Sequence, residues 1–103
     1  MSSPSHDNRW TFLTNHAQVL LCLAQDSEIR LRDVAERVGI TERAAQRILA
    51  DLIDSGYVRS KRVGRRNQYT VDRGQAMRHA AQFGHEIGPL LDLLRTADDA
   101  PLH

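Results

Sequence analysis

A run of basic side chains without acidic neighbours marks the middle of this sequence. Residues 58–71 contain five lysines and arginines and no aspartate or glutamate, whereas an ordinary surface segment carries both signs. Such cations bind phosphate groups, and these contacts hold a nucleic acid in place without reading its sequence. The run begins with Arg59, and four of its members are candidate phosphate contacts: Lys61, Arg62, Arg65 and Arg66.

The residues just before this run carry chemistry of another kind. If 41–55 forms a helix, its apolar face consists of Ala45, Ile48, Leu49 and Leu52, and its opposite face is polar. An arginine there can give two hydrogen bonds to guanine, a glutamine two to adenine, and a small residue lets the helix approach closely. The hydroxyl of a capping threonine and the free N–H groups of the first turn suit a phosphate. The same face could equally be a solvated helix surface. The candidate contacts are Thr41, Arg43, Ala44, Gln46 and Arg47.

Two earlier helices have to position this one. Apolar residues at helical spacing predict them over 14–25 and 31–38. Thr14 is a plausible N-cap for the first helix, and Gly39 is expected to end the second. Ile29 could start a short strand between the two helices.

A hairpin is expected directly after the third helix. That helix should end at Gly56, with Tyr57 closing a Schellman-type cap. Strand-forming residues over 57–62 and 68–71 flank turn residues over 63–67, which predicts two antiparallel strands. The fold class is therefore mainly α with a small β-hairpin.

This order of helix, short strand, helix, turn, helix and hairpin is that of a winged helix. The stretches LRDVAERVGITERAAQRILADLIDSGYV and RVGRRNQYTV carry it, with a small residue at Ala35 and the turn at Gly39. Residues 10–71 resemble the winged helix-turn-helix transcriptional regulators of the MarR/ArsR type found in bacteria and archaea. The resemblance implies sequence-specific binding of double-stranded DNA, with the helix 41–55 in the major groove and the hairpin 58–71 as wing.

The chain departs from this family pattern at two places. The serine or threonine that usually caps the second helix is Arg30 here, which leaves the pattern intact. Small polar residues are frequent at the start of the recognition helix, where this chain has Arg43 and Ala44. A base preference therefore cannot be carried over from relatives. The resemblance further implies that the wing tip, Arg65 and Arg66, reaches phosphates or the adjacent minor groove.

An apolar stripe with roughly heptad spacing follows the hairpin over 76–94. Gly84, Gly88 and Pro89 interrupt it, so that a helix either kinks at the proline or starts again near it. The stripe could simply cover the single core. We expect a homodimer surface instead, because regulators of this type usually dimerise through helices outside the reading head. The interface candidates are Trp10, Phe12, Phe83, Ile87, Leu90, Leu91 and Leu94.

These patterns divide the chain into four parts. We expect a flexible N-terminus over 1–9, a DNA-binding domain over 10–73, a helical dimerisation segment over 74–95 and a flexible tail over 96–103. The net charge is only +1, so any nucleic-acid binding rests on local charge. The one cysteine, Cys22, excludes an internal disulfide and suits a reducing cytoplasm, and we expect it to be buried and inert.

Other functions find little support in the residues. No cofactor or metal site is expected, because the five histidines include no i, i+4 pair and no CxxC companion. No enzyme is expected either, because the sequence has no phosphate loop and no Ser/His/Asp-like clustering. No apolar run has the length of a membrane span. We expect a repressor more than an activator, since repression needs only occupancy and the chain has no room for a separate activating domain. The existence of an effector is left open. The alternatives are a winged-helix protein-interaction module or subunit of a larger assembly, and a nonspecific architectural DNA binder.

Overall fold

The computed structural model describes residues 10–95, which form four α-helices, a 3-10 turn and one antiparallel hairpin. The two ends expected to be flexible, 1–9 and 96–103, lie outside the described residues. None of the helices in the described part is long and apolar enough to cross a membrane. The helices are α1 (Asn15–Gln25), α2 (Leu31–Val38), α3 (Glu42–Asp54) and α4 (Ile87–Leu93), and the strands are β1 (Val58–Val63) and β2 (Arg66–Val71).

Local capping residues delimit the first three helices. Thr14 and Thr41 precede α1 and α3, and their hydroxyls accept hydrogen bonds from the N–H groups of Ala17 (3.1 Å) and Ala44 (3.0 Å). Gly39 ends α2 in the left-handed conformation, with φ 84°. The predicted extents of these helices are thus confirmed to within one residue at either end.

The end of α3 turns the chain directly into the hairpin. The N–H of Tyr57 donates to the carbonyl of Leu52 (2.9 Å), and the N–H of Gly56 donates to that of Ile53 (3.0 Å). This is the expected Schellman-type cap, which leaves the side chain of Tyr57 buried at the foot of β1.

The hairpin is longer and its turn tighter than the sequence indicated. Val63 pairs with Arg66, so the turn contains only Gly64 and Arg65. The expected five-residue turn over 63–67 is therefore wrong. Gly64 adopts a positive φ of 63°, which two-residue hairpin turns require, and such a turn lets the adjoining residues pair instead of leaving their backbone groups unbonded.

The connection between α1 and α2 lies along the outer edge of β2. The N–H of Tyr69 donates to the carbonyl of Ser27 at 2.8 Å, and Ile29 is buried. The strand that Ile29 was expected to start is not formed in the described chain. The loop nevertheless accepts one backbone hydrogen bond from the outer edge of β2, as a third strand would.

The core lies between α1, α2, α3 and the base of the hairpin. Its most completely buried side chains are Val19, Leu23, Val34 and Val58. Cys22 is buried among them, as expected, and its burial raises the pKa of the thiol.

The segment after β2 is not one long helix. Residues 72–79 are irregular, Ala76 forms an isolated bridge with Glu86, and a 3-10 turn covers Ala80–Gln82. Only then does α4 begin, and Pro89 falls in its first turn, where the missing N–H has no helical acceptor to lose. The helix expected from Ala76 up to the proline is therefore not formed, whereas the short helix expected to begin near Pro89 is present.

Packing of α4 corrects part of the expected dimer surface. Ile87 and Leu91 are only 6% and 5% exposed and belong to the protomer's own core, and Leu94 packs partly against it. At these positions the stripe covers the single core, which is the alternative that the sequence left open. Of the remaining interface candidates, Leu90 is half-buried, whereas the aromatic side chains are exposed: Trp10, Phe12 and Phe83.

Candidate nucleic-acid interface

Helix α3 presents the two faces that its sequence predicted. Ala45, Ile48 and Leu52 are buried against the other helices. On the opposite side, the residues with nucleic-acid chemistry are exposed, except for the smaller Ala44, which is half-buried. The exposed candidates are Thr41, Arg43, Gln46 and Arg47.

An acidic group on α3 is engaged elsewhere in the fold. Nε2 of His16 on α1 lies 2.8 Å from Oδ2 of Asp51, and both side chains are about half exposed. The carboxylate of Asp51 is thus directed towards α1, and Asp51 follows Arg47 by one helical turn on the same face of α3.

The hairpin divides its basic residues between two faces. Cross-strand partners share a face of a sheet, and neighbours along a strand alternate. Arg62 pairs with Asn67 on the face that carries the buried Tyr69, whereas Arg59 and Lys61 lie on the opposite face. Since the sequence shows only a run of cations, this division becomes visible only in the paired register.

A groove of about 390 Å³ separates the hairpin from α3. Gln46 lines it from the helix side, and Arg65 and Arg66 line it from the hairpin side. Three further residues with charged or amide side chains border it that sequence reasoning did not assign to the site: the acidic Glu28, Arg30 and Asn67. In the sequence, Arg30 was unusual only because it replaces the serine or threonine that commonly caps the second helix. It makes no side-chain capping bond to α2.

Three of the candidate contacts line this groove: Gln46, Arg65 and Arg66. The others lie outside its lining, on the exposed surface of the helix or along the strands. They are Thr41, Arg43, Ala44, Arg47, Lys61 and Arg62.

These elements together decide the architecture. Helices α1 to α3 pack around one core, α2 and α3 are joined by the turn at Gly39, and the antiparallel hairpin follows α3 directly. The fold is a winged helix-turn-helix. Residues 14–59 match the family model described as winged helix-turn-helix DNA-binding, which supports DNA as the partner. A search of curated proteins gave no match.

The matched part of the winged helix includes α3 but only the start of the wing. It runs from the cap of α1 to the second residue of β1. The fold beyond that point rests on the geometry of the hairpin and of the C-terminal segment.

The two arginines at the tip of the wing differ in their surroundings. Nη1 of Arg66 donates to the carbonyl of Glu28 at 2.9 Å. Arg65 makes no side-chain hydrogen bond or ion pair within the described residues and is exposed at the turn. Nε of Arg62 donates to the carbonyl of Gly64 at 3.3 Å, which keeps that guanidinium close to the turn.

His79 has a structural role in the segment that follows the hairpin. Nδ1 of His79 accepts a hydrogen bond from the N–H of Ala81 (3.0 Å) and caps the 3-10 turn. Within residues 10–95, no group of three or more His, Cys, Asp or Glu side chains is arranged to hold a metal ion.

Proposed function

We propose that this winged helix is a small homodimeric transcriptional regulator of the MarR/ArsR type that binds a specific sequence of double-stranded DNA and acts as a repressor in the cytoplasm. One observation carries the proposal: Gln46 of α3 and Arg65 of the wing border the same groove. A base-reading side chain and a phosphate-binding side chain thus face one ligand. Duplex DNA offers both kinds of partner side by side.

In this proposal α3 enters the major groove. Arg43, Gln46 and Arg47 have the donors and acceptors that distinguish base pairs there. Ala44 between them is small enough to let the helix approach the bases. The N-terminus of α3 has a partial positive charge, and the Thr41 hydroxyl can still donate its proton to a phosphate while it accepts from Ala44.

The wing supplies the sequence-independent part of the affinity. Lys61, Arg62 and Arg65 are exposed cations on a short, two-stranded support. Each phosphate that they neutralise releases counterions from the duplex, which favours binding most strongly at low salt.

In a dimer, the DNA-binding surface formed by α3 and the wing would be present twice. The exposed aromatic residues Trp10, Phe12 and Phe83 are large apolar groups that a second copy of the chain could cover. Half-buried Leu90 lines a shallow groove of about 470 Å³ beside Pro89, on the C-terminal segment that also carries Phe83. A symmetric dimer would bind two half-sites about one helical turn, ~34–36 Å, apart.

The decisive experiment is selection of bound duplexes from a random DNA pool by the wild-type protein. We expect enrichment of an inverted repeat, because a two-fold dimer reads two equivalent half-sites. Binding of all sequences with equal affinity would favour a nonspecific architectural binder. Absence of binding even at low salt would favour a protein-interaction module, in which the basic wing serves a different partner.

A further inference from the structure

Arg66 is joined to a part of the chain far from the wing in sequence. Its Nη1 donates to the carbonyl of Glu28 at 2.9 Å, across 38 positions. Three residues further along β2, the N–H of Tyr69 donates to the carbonyl of Ser27 at 2.8 Å. These two hydrogen bonds connect the outer edge of the wing with the loop between α1 and α2.

That loop is itself held firmly. Oδ1 of Asp26 accepts a hydrogen bond from the N–H of Glu28 at 3.1 Å, and the carbonyl of Asp26 accepts one from the N–H of Ile29 at 3.2 Å. The side chain of Ile29 is buried in the core. The carbonyl of Glu28 is therefore an anchor that is fixed relative to the helices.

The wing needs such an anchor at its outer end. A hairpin of two strands is marginally stable by itself, and its buried side chains, Val58 and Tyr69, lie away from the turn. Arg66 is the first residue after the turn. Its bond to the loop is the hydrogen bond nearest the tip that joins the wing to the rest of the described chain.

We propose that Arg66 is a positioning residue, whose hydrogen bond to the Glu28 carbonyl sets the distance between the wing tip and α3 so that Arg65 and Gln46 meet the same duplex. This inference rests on the proposed function and changes the role of one residue in it. Arg66 acts through the placement of Arg65, whereas a direct phosphate contact would act by itself.

The two roles differ in their thermodynamic signature. If the two arginines contact phosphates independently, the losses of affinity are additive when both are replaced. Each replacement then lowers the slope of log K against log salt by the contribution of one phosphate. If Arg66 positions Arg65, replacement of Arg66 also prevents Arg65 from reaching its phosphate. Replacement of Arg65 then has little further effect.

The test uses Arg66→Met, Arg65→Met as its matched control, and the double variant. Both sites are exposed, so neither substitution opens the core. In the free protein, amide hydrogen exchange at Tyr69 should accelerate about fivefold or more in Arg66→Met, as expected when one hydrogen bond is removed. It should stay at the wild-type rate in Arg65→Met. This measurement needs no DNA.

The second measurement is a double-mutant cycle on the selected DNA. We expect Arg65→Met to weaken binding by about fivefold in the wild-type background and by less than about twofold once Arg66 is replaced. Additive effects would overturn the positioning role, and so would an unchanged exchange rate at Tyr69 in Arg66→Met. If the wild-type protein binds no DNA, the proposed function fails. The positioning role then falls with it, and the exchange rates still report whether Arg66 holds the wing to the loop.

Discussion

At the scale of single residues, position in the fold divides the proposed DNA contacts into two groups. Arg47 lies on a helix face that can reach base edges, whereas Arg65 lies at a two-residue turn that can reach the backbone. Base-edge contacts each contribute about 1–3 kcal/mol of discrimination, and phosphate contacts contribute almost none.

Replacement of Arg47 by alanine should therefore weaken binding to the selected DNA by about tenfold or more and leave random DNA nearly unaffected. Arg65→Ala should weaken both DNAs by similar factors. It should also reduce the slope of log K against log salt by about 0.9 for each phosphate that Arg65 neutralises, twice per dimer. A salt titration of both variants on both DNAs measures this. If Arg65→Ala alone erases the preference, the wing reads the sequence and the two roles are exchanged.

Cys22 shows how packing sets the chemistry of a single group. Burial raises the pKa of its thiol above the ordinary 9.0, and the guanidinium of Arg37 on α2 opposes that shift. The sequence shows no basic residue beside Cys22, because Arg37 lies in the next helix and only the packing of α2 on α1 brings the two together.

This raised pKa predicts a pH dependence of stability. The folded protein holds the thiol proton more tightly than the unfolded chain, so the stabilisation is complete below about pH 9 and is lost as the pH rises through the folded pKa. Urea unfolding at about pH 7 and about pH 10 should show a larger fall in the free energy of unfolding for the wild type than for Cys22→Ala. The alanine variant is the control for all other groups that titrate in this range. Equal falls in both proteins would contradict the prediction.

At the scale of elements, the joint between α3 and the wing depends on one glycine. Gly56 has φ 84°, and a Cβ at this position would lie 2.9 Å from Nε2 of Gln75. That amide donates to the carbonyl of Gly56 at 3.1 Å. The backbone conformation therefore disfavours any other residue here, whereas the amide of Gln75 is the end of a flexible side chain that can move aside.

Gly56→Ala should lower the free energy of unfolding by about 1–2 kcal/mol, the cost of a left-handed conformation for an L-residue. Gly74→Ala is the matched control, because Gly74 has no positive φ and its Cβ would meet its nearest atom at an ordinary 3.7 Å. Chemical denaturation of the two variants measures the difference. Equal stabilities would mean that the joint adapts to a side chain without strain.

At the scale of the whole molecule, exposure separates residues of the protomer's core from residues available to a partner. Leu91 is 5% exposed and Phe83 is 84% exposed, although both belong to the same apolar stripe in the sequence. Dimerisation through the C-terminal segment can therefore use Phe83 but not Leu91.

Phe83→Asp should give a folded monomer, whereas Leu91→Asp should unfold the protein, because it buries a carboxylate without a partner. Sedimentation velocity reports the mass and far-ultraviolet circular dichroism reports the helix content of each variant. A wild-type protein that sediments as a monomer at tens of micromolar would contradict the dimer. A folded, monomeric Leu91→Asp variant would contradict the assignment of Leu91 to the core.

The sequence by itself determined the features that depend on neighbours a few positions apart. The caps at Thr14 and Thr41, the end of α2 at Gly39 and the apolar face of α3 were all predicted and are all present. Each of them depends on hydrogen bonds or side-chain periodicity within about one helical turn, and such short-range patterns can be read along a chain.

The tertiary structure alone decided which distant groups meet. It brought Arg66 to the carbonyl of Glu28, Arg37 towards Cys22, and Ile87 with Leu91 into the protomer's core. The sequence indicates none of these contacts. An arginine can bind a phosphate or a carbonyl, and an apolar stripe can pack into a core or against a partner. The choice between them depends on how the elements pack, since packing determines which surfaces are removed from water.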